Sequence, residues 1–69
     1  MEPSEEYKTA YENNLLTLSD NQIEAWRRGN LYDSTNNELD DEAKAIATYH
    51  VQACEKEQAR RTADMANNA

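Results

Sequence analysis

Residues 18–31 read Leu18-Ser19-Asp20-Asn21-Gln22-Ile23-Glu24-Ala25-Trp26-Arg27-Arg28-Gly29-Asn30-Leu31. They hold the only Trp and the only Gly of the chain. Ser19 followed three residues later by Gln22 forms a capping box, in which each side chain satisfies a backbone N–H that the helix cannot use. Leu18 before the cap and Ile23 at the fourth helical position form a hydrophobic staple. Gly29 stands where a left-handed residue would end a helix, and Arg27 and Arg28 offset the dipole just before it. The stretch therefore predicts a short helix over about 20–28. A helix of that length is not stable alone in water, so Trp26 is expected to be buried.

Working back toward the N-terminus, Pro3 and Ser4 mark a helix start, with Glu5 and Glu6 favourable in the first turn. Tyr7, Ala10, Tyr11, Leu15 and Leu18 then recur at steps of three or four, one face of a helix over about 5–17. Working forward, Gly29 to Asn37 is rich in Asn, Asp and Ser and reads as a loop. Thr35 and Glu38 repeat the capping-box spacing, with Leu39 where Ile23 stood, and predict a third helix over about 36–61. Leu39, Ala43, Ile46, Tyr49 or His50, and Ala53 form its apolar stripe, which fades beyond Cys54. No alternating β-branched run occurs. The fold class is all-α: a small three-helix module with a long C-terminal helix. It is read as one domain over 1–69, with fraying ends at 1–3 and 63–69.

Sixty-nine residues with a mean hydropathy of −1.13 bury little apolar surface. Chains of this size usually add a disulfide, a metal or a partner subunit. Cys54 is the sole cysteine, which excludes an intrachain disulfide, so a partner is favoured by elimination. One lone cysteine and the opening M-E-P-S-E-E, with neither a basic segment nor an apolar run, point to a cytoplasmic protein. No apolar run approaches the ~20 residues that a bilayer needs.

The net charge of −7 is unevenly spread. Residues 1–24 carry −5, residues 25–32 carry +2, residues 33–42 carry −5, and the remainder carries +1. Direct nucleic-acid binding is disfavoured, because phosphate contacts need clustered Lys and Arg. Anionic lipid would repel the chain as well. A protein partner with a basic surface fits best. The expected contacts are Glu5, Glu6, Glu12, Asp20 and Glu24 from the first acidic block, and Asp33, Asp40, Asp41 and Glu42 from the second. Trp26, Arg27 and Arg28 join them, since Trp and Arg are enriched at binding hot spots.

Chemistry finds little support. His50, Cys54 and Glu57 share a helix face, yet a structural zinc site needs a fourth ligand, and there is no second His or Cys. A Cys–His nucleophilic pair lacks an orienting group and an oxyanion loop. The acids at 38–42 lack the alternating spacing and central Gly of a calcium loop. One Gly cannot build a phosphate cradle. The reading is a non-enzymatic protein-binding module without cofactor or metal. Its best specific form is a small acidic inhibitor or regulator of phage or mobile-element type, whose carboxylates imitate nucleic-acid phosphates on a nucleic-acid-handling protein. The alternative is a helical homodimer paired through Leu39, Ala43, Ile46, His50 and Ala53 of the third helix.

Overall fold

The computed structural model describes residues 3–68, leaving Met1, Glu2 and Ala69 outside; all three belong to the ends expected to fray. It contains α1 (Glu5–Leu16), α2 (Asp20–Ser34) and α3 (Asp41–Asn68), with no strand among the described residues. The all-α, three-helix expectation holds, and the differences lie in where the helices end.

The starts of α1 and α2 follow the capping chemistry. Ser4 is extended and its hydroxyl accepts the Tyr7 N–H at 3.2 Å. Ser19 accepts from the Gln22 N–H at 3.2 Å while Gln22 Oε1 takes the Ser19 N–H at 2.8 Å, so the capping box is complete. Leu18 is half-buried against the cluster that contains Ile23, as the staple requires. Between the helices, Thr17 closes α1 by donating its hydroxyl to the Asn14 carbonyl at 2.8 Å.

Gly29 does not end α2. Its φ is not positive, and the helix continues to Ser34. A glycine only permits the left-handed turn; here helix continuation brings Asn30 against α3, and its amide donates to the Trp26 carbonyl at 2.8 Å. The terminator lies five residues on. The Ser34 hydroxyl donates to the Leu31 carbonyl at 2.7 Å, and Thr35 Oγ1 donates to the Tyr32 carbonyl at 3.1 Å. These hydroxyls satisfy carbonyls that the end of the helix leaves open.

Thr35 is therefore spent on α2, and the expected capping box with Glu38 does not form. Asn36 Oδ1 instead accepts the Glu38 N–H at 2.9 Å, an Asx turn. Asp40 caps α3, taking the Ala43 N–H on its carboxylate at 2.8 Å. So α3 starts at Asp41 rather than near Asn36 and runs past the expected end at Arg61. At ~1.5 Å per residue, its 28 residues account for nearly all of the 44 Å long axis.

The pairing pattern sets the topology. Along α2 and α3, Asp20 meets Arg61, Glu24 meets Gln58, and Asn30 meets His50, so these helices run antiparallel. Along α1 and α3, Tyr7 meets His50, Tyr11 meets Cys54, and Glu12 meets Lys56, so these run parallel. Where all three meet, Leu15, Ile23, Ala53 and Cys54 form the buried cluster, flanked by Tyr11, Leu18 and Tyr49.

Trp26 is not in that cluster. Its side chain is 39% exposed and its ring tilts against Tyr11 at 5.9 Å between centroids. Trp26→Ala is accordingly expected to cost about 1–2 kcal/mol, short of the ~3–5 kcal/mol of a fully buried aromatic. Thermal unfolding followed by circular dichroism measures it, and a loss above ~3 kcal/mol would place the ring in the core after all.

Candidate functional site

An imidazole joins the three helices. Asn30 of α2 commits its amide N–H to the Trp26 carbonyl, which leaves Oδ1 facing His50 Nδ1 at 2.9 Å. Nδ1 therefore carries the imidazole proton, and Nε2 accepts the Tyr7 hydroxyl from α1 at 2.7 Å. The His50 ring lies flat on Tyr11, with centroids 4.1 Å apart and 8° between planes. Burial pushes the His50 pKa down, favouring this neutral form. Tyr49 completes the junction: its hydroxyl proton is shared between the Lys8 carbonyl at 3.2 Å and Glu12 at 3.1 Å. Burial, with that contact to Glu12, pushes its phenol up to about 12.

Below the junction, carboxylates and guanidinium groups hold the body together. Glu24 accepts Arg27 Nε at 2.9 Å, Arg27 Nη2 at 2.8 Å, Arg28 Nε at 2.8 Å and Gln58 at 2.9 Å. Arg27 first, then Gln58 and Arg28, hold its carboxyl well below the usual range. Glu57 is buried at 7% exposure and accepts Arg60 Nε at 2.8 Å, Arg60 Nη2 at 2.7 Å and Arg61 Nε at 2.7 Å. Arg60 foremost, and Arg61, hold Glu57 down to about 2.

Arg61 is the fastener of the α1–α2 connection. Its Nη2 donates to the Leu15 and Leu18 carbonyls at 3.0 and 2.8 Å, and its Nη1 donates to Asp20 at 2.6 Å. The planar fork lets one side chain serve two carbonyls and two carboxylates. In the sequence, Glu57 stands out only as a third residue on the His50 and Cys54 face, and Arg61 lies in the stretch where the apolar stripe fades. The i, i+3 and i, i+4 spacing of Glu57 with Arg60 and Arg61 was a visible signal for the local pair; the reach to the α1–α2 turn was not.

These bonds divide the eleven charged residues among the expected contacts into two groups. Glu12, Asp20 and Glu24 are tied to Lys56, Arg61, and Arg27 with Arg28. Arg27 also comes within 4.0 Å of Glu55. The basic spot read from Arg27 and Arg28 is thus largely neutralised within the chain.

Glu5, Glu6, Asp33, Asp40, Asp41 and Glu42 instead lie toward one end. Because α1 runs parallel to α3, its N-terminus sits beside the first turns of α3, where Pro3 shares a groove with Ala45, Thr48 and Tyr49. The end of α2 and the 35–40 connection lie at that same end. Glu5 and Glu6 of the first acidic block thus lie toward the same end as the second block, Glu38 included. Lys8, 4.0 Å from Glu5, and Lys44, 3.7 Å from Asp41, are the ion-pairing cations there among the described residues. Trp26 lies between the two regions, facing out from α2.

The His50, Cys54 and Glu57 face is fully engaged in structural bonds. No group of three or more His, Cys, Asp or Glu suited to a metal ion occurs among the described residues. Burial pushes the Cys54 thiol up, away from thiolate, with the Tyr11 hydroxyl 3.7 Å from its sulfur. No helix of the described residues is long and apolar enough to cross a membrane. Comparison with protein-family models, characterised proteins and solved structures yields no match.

Proposed function

We propose that the protein is a non-enzymatic binding module that docks its acidic end on the basic surface of a nucleic-acid-handling protein. The supporting observation is the separation of charge: the body pairs its carboxylates internally, whereas Glu6, Asp33, Glu38 and Glu42 make no ion pair among the described residues. Carboxylates held at a rigid helix end lose little freedom on binding and set up a field that steers a basic partner. In its specific form the module is an inhibitor of phage or mobile-element type, with carboxylates standing where the partner would hold phosphates, and acting in the cytoplasm.

Capture of basic partners on immobilised protein tests this, followed by a salt titration of the isolated complex. Affinity is expected to fall by about tenfold or more between low and high salt, since exposed charge interactions are screened within ~10 Å at 0.1 M. The triple variant Glu6→Gln, Glu38→Gln and Glu42→Gln is expected to bind more weakly with an unchanged melting temperature. An affinity indifferent to salt and to these substitutions would sink the proposal. A complex in which the partner still binds its nucleic acid would remove the mimicry and leave the module.

The pairing of copies through α3, the other reading of the sequence, has less to draw on. Ala53 is buried with Leu15 and Ile23, and His50 is bonded to both other helices.

A further inference from the structure

We propose that the depression over Gly29 on α2 seats an arginine side chain of the basic partner, its guanidinium lying between Trp26 and Tyr32 and pairing with Asp33. This rests on the docking of a basic partner and names the group that the partner inserts. Space comes from Gly29. The helix runs through it without positive φ, and a Cβ placed on it would meet nothing within 4 Å. The backbone therefore does not require glycine, and the missing side chain leaves room at mid-helix.

Rings line the depression on both sides of that gap. Trp26 stands three residues before Gly29 and Tyr32 three residues after, at 39% and 71% exposure. One wall is already fixed. Asn30, also lining the depression, is bonded to the Trp26 carbonyl at 2.8 Å and to His50 at 2.9 Å, and the Trp26 ring rests against Tyr11. Groups held in this way lose little freedom when a ligand arrives.

Charge selects the ligand. Asp33 is the one charged residue lining the depression, and it makes no ion pair among the described residues. Arg28 precedes Gly29 in sequence, but it is bonded to Glu24 at 2.8 Å, as is Arg27, which also lies within 4.0 Å of Glu55. With Asp33 the carboxylates outnumber the guanidinium groups around this face, so a cation is favoured over an anion. Aromatic faces attract a cation as well. Arginine suits the seat better than lysine, because its planar fork stacks on a ring while donating twice to one carboxylate. Asp33 also belongs to the acidic end, so the seat is continuous with the surface that meets the partner.

Two resonances report on the seat, because Gly29 and Trp26 are each the sole residue of their type. N-acetylarginine amide is titrated into the whole protein while the Gly29 amide and the Trp26 indole N–H are followed by heteronuclear NMR. Both are expected to shift and saturate with a dissociation constant of about 1–50 mM, the range of one side chain without the rest of a partner. The lysine analogue is expected to bind at least about threefold more weakly, and the uncharged citrulline analogue not to saturate. Asp33→Asn and Gly29→Leu, both at exposed positions, are expected to raise the constant at least about fivefold with the circular-dichroism spectrum unchanged. Asp33→Asn suffices if Gly29→Leu fails to fold. Shifts that never saturate with arginine, that citrulline reproduces, or that both substitutions leave unchanged overturn the proposal. Salt-dependent capture of a partner by a chain that ignores arginine keeps the docking of the acidic end and overturns the seat. Arginine binding without any captured partner does the reverse.

Discussion

Leu15→Ala should destabilise the protein by about 2–5 kcal/mol, whereas Leu16→Ala, one residue along, should cost at most about 1 kcal/mol. The two leucines share chemistry and helix. Leu15 is 1% exposed and sits between Ile23, Ala53 and Cys54; Leu16 is 56% exposed. Truncating Leu15 removes transfer free energy and leaves a cavity where α1 meets the other helices. Folded proteins hold about 0.05–0.15 kcal/mol per residue, so 69 residues have roughly 3–10 kcal/mol in total. The loss is thus a large share of the whole. At roughly 4–8 °C per kcal/mol for a chain of this size, thermal melts separate the two variants easily. Equal melting temperatures for both variants would show that α1 does not dock as described.

The second large effect concerns acid. Glu57 has a folded pKa of about 2, below the ordinary 4.5, because Arg60 and then Arg61 bind its charged form. A folded pKa lowered in this way supplies stability that is complete above pH ~4.5 and lost as pH falls toward 2. Glu24, held down by Arg27, Gln58 and Arg28, adds to the same loss. Neutral His50 acts in a separate and earlier window, its contribution falling away once pH drops below 6.5. Subtraction isolates Glu57: the Glu57→Gln variant should lose about 1.5–3 kcal/mol at neutral pH, the scale of hydrogen bonds to a charged group. It should also show a flatter decline than the wild type between pH 4.5 and 2. Melting temperatures across pH 2–7 check both, and parallel curves would mean that Glu57 is not held by the arginines.

Arg61 shows why the candidate site was only half legible. Its pairing with Glu57 is a local matter of helix spacing, readable from the residues alone. Its three bonds to Leu15, Leu18 and Asp20 span more than forty positions and exist only because α1 and α2 turn at the level where α3 reaches its sixth helical turn. The same holds for Asn30, which looked like a loop residue and proves to fix the tautomer of His50.

Gly29 is the complementary case. A C-terminal signal present in the residues was overridden because extending α2 along α3 satisfied backbone groups that a break would have left open. Trp26 differs again: a large aromatic on a short helix looked like core, but the lengthened helix has enough contact with α3 to leave its ring half outside.

What the chain determines by itself is local. Helical class, the two N-terminal caps at Ser4 and Ser19, and the inward turn of Tyr11, Leu15 and Leu18 all follow from side chains acting within a turn or two, whereas Ala10, expected on the same face, is exposed. Capping and periodicity are short-range effects, and nothing distant competes with them here. Tertiary structure decides the helix ends that depend on packing, the burial of Leu15 and Glu57, and the exposure of Trp26. It also decides the electrostatic shape. Glu5 and Glu6 come to the same end as the second acidic block because α1 runs parallel to α3, and the charges at 12 and 20 are paired because Lys56 and Arg61, distant in sequence, lie within bonding distance. Coulomb interactions depend on distance in space, which no reading along the chain supplies.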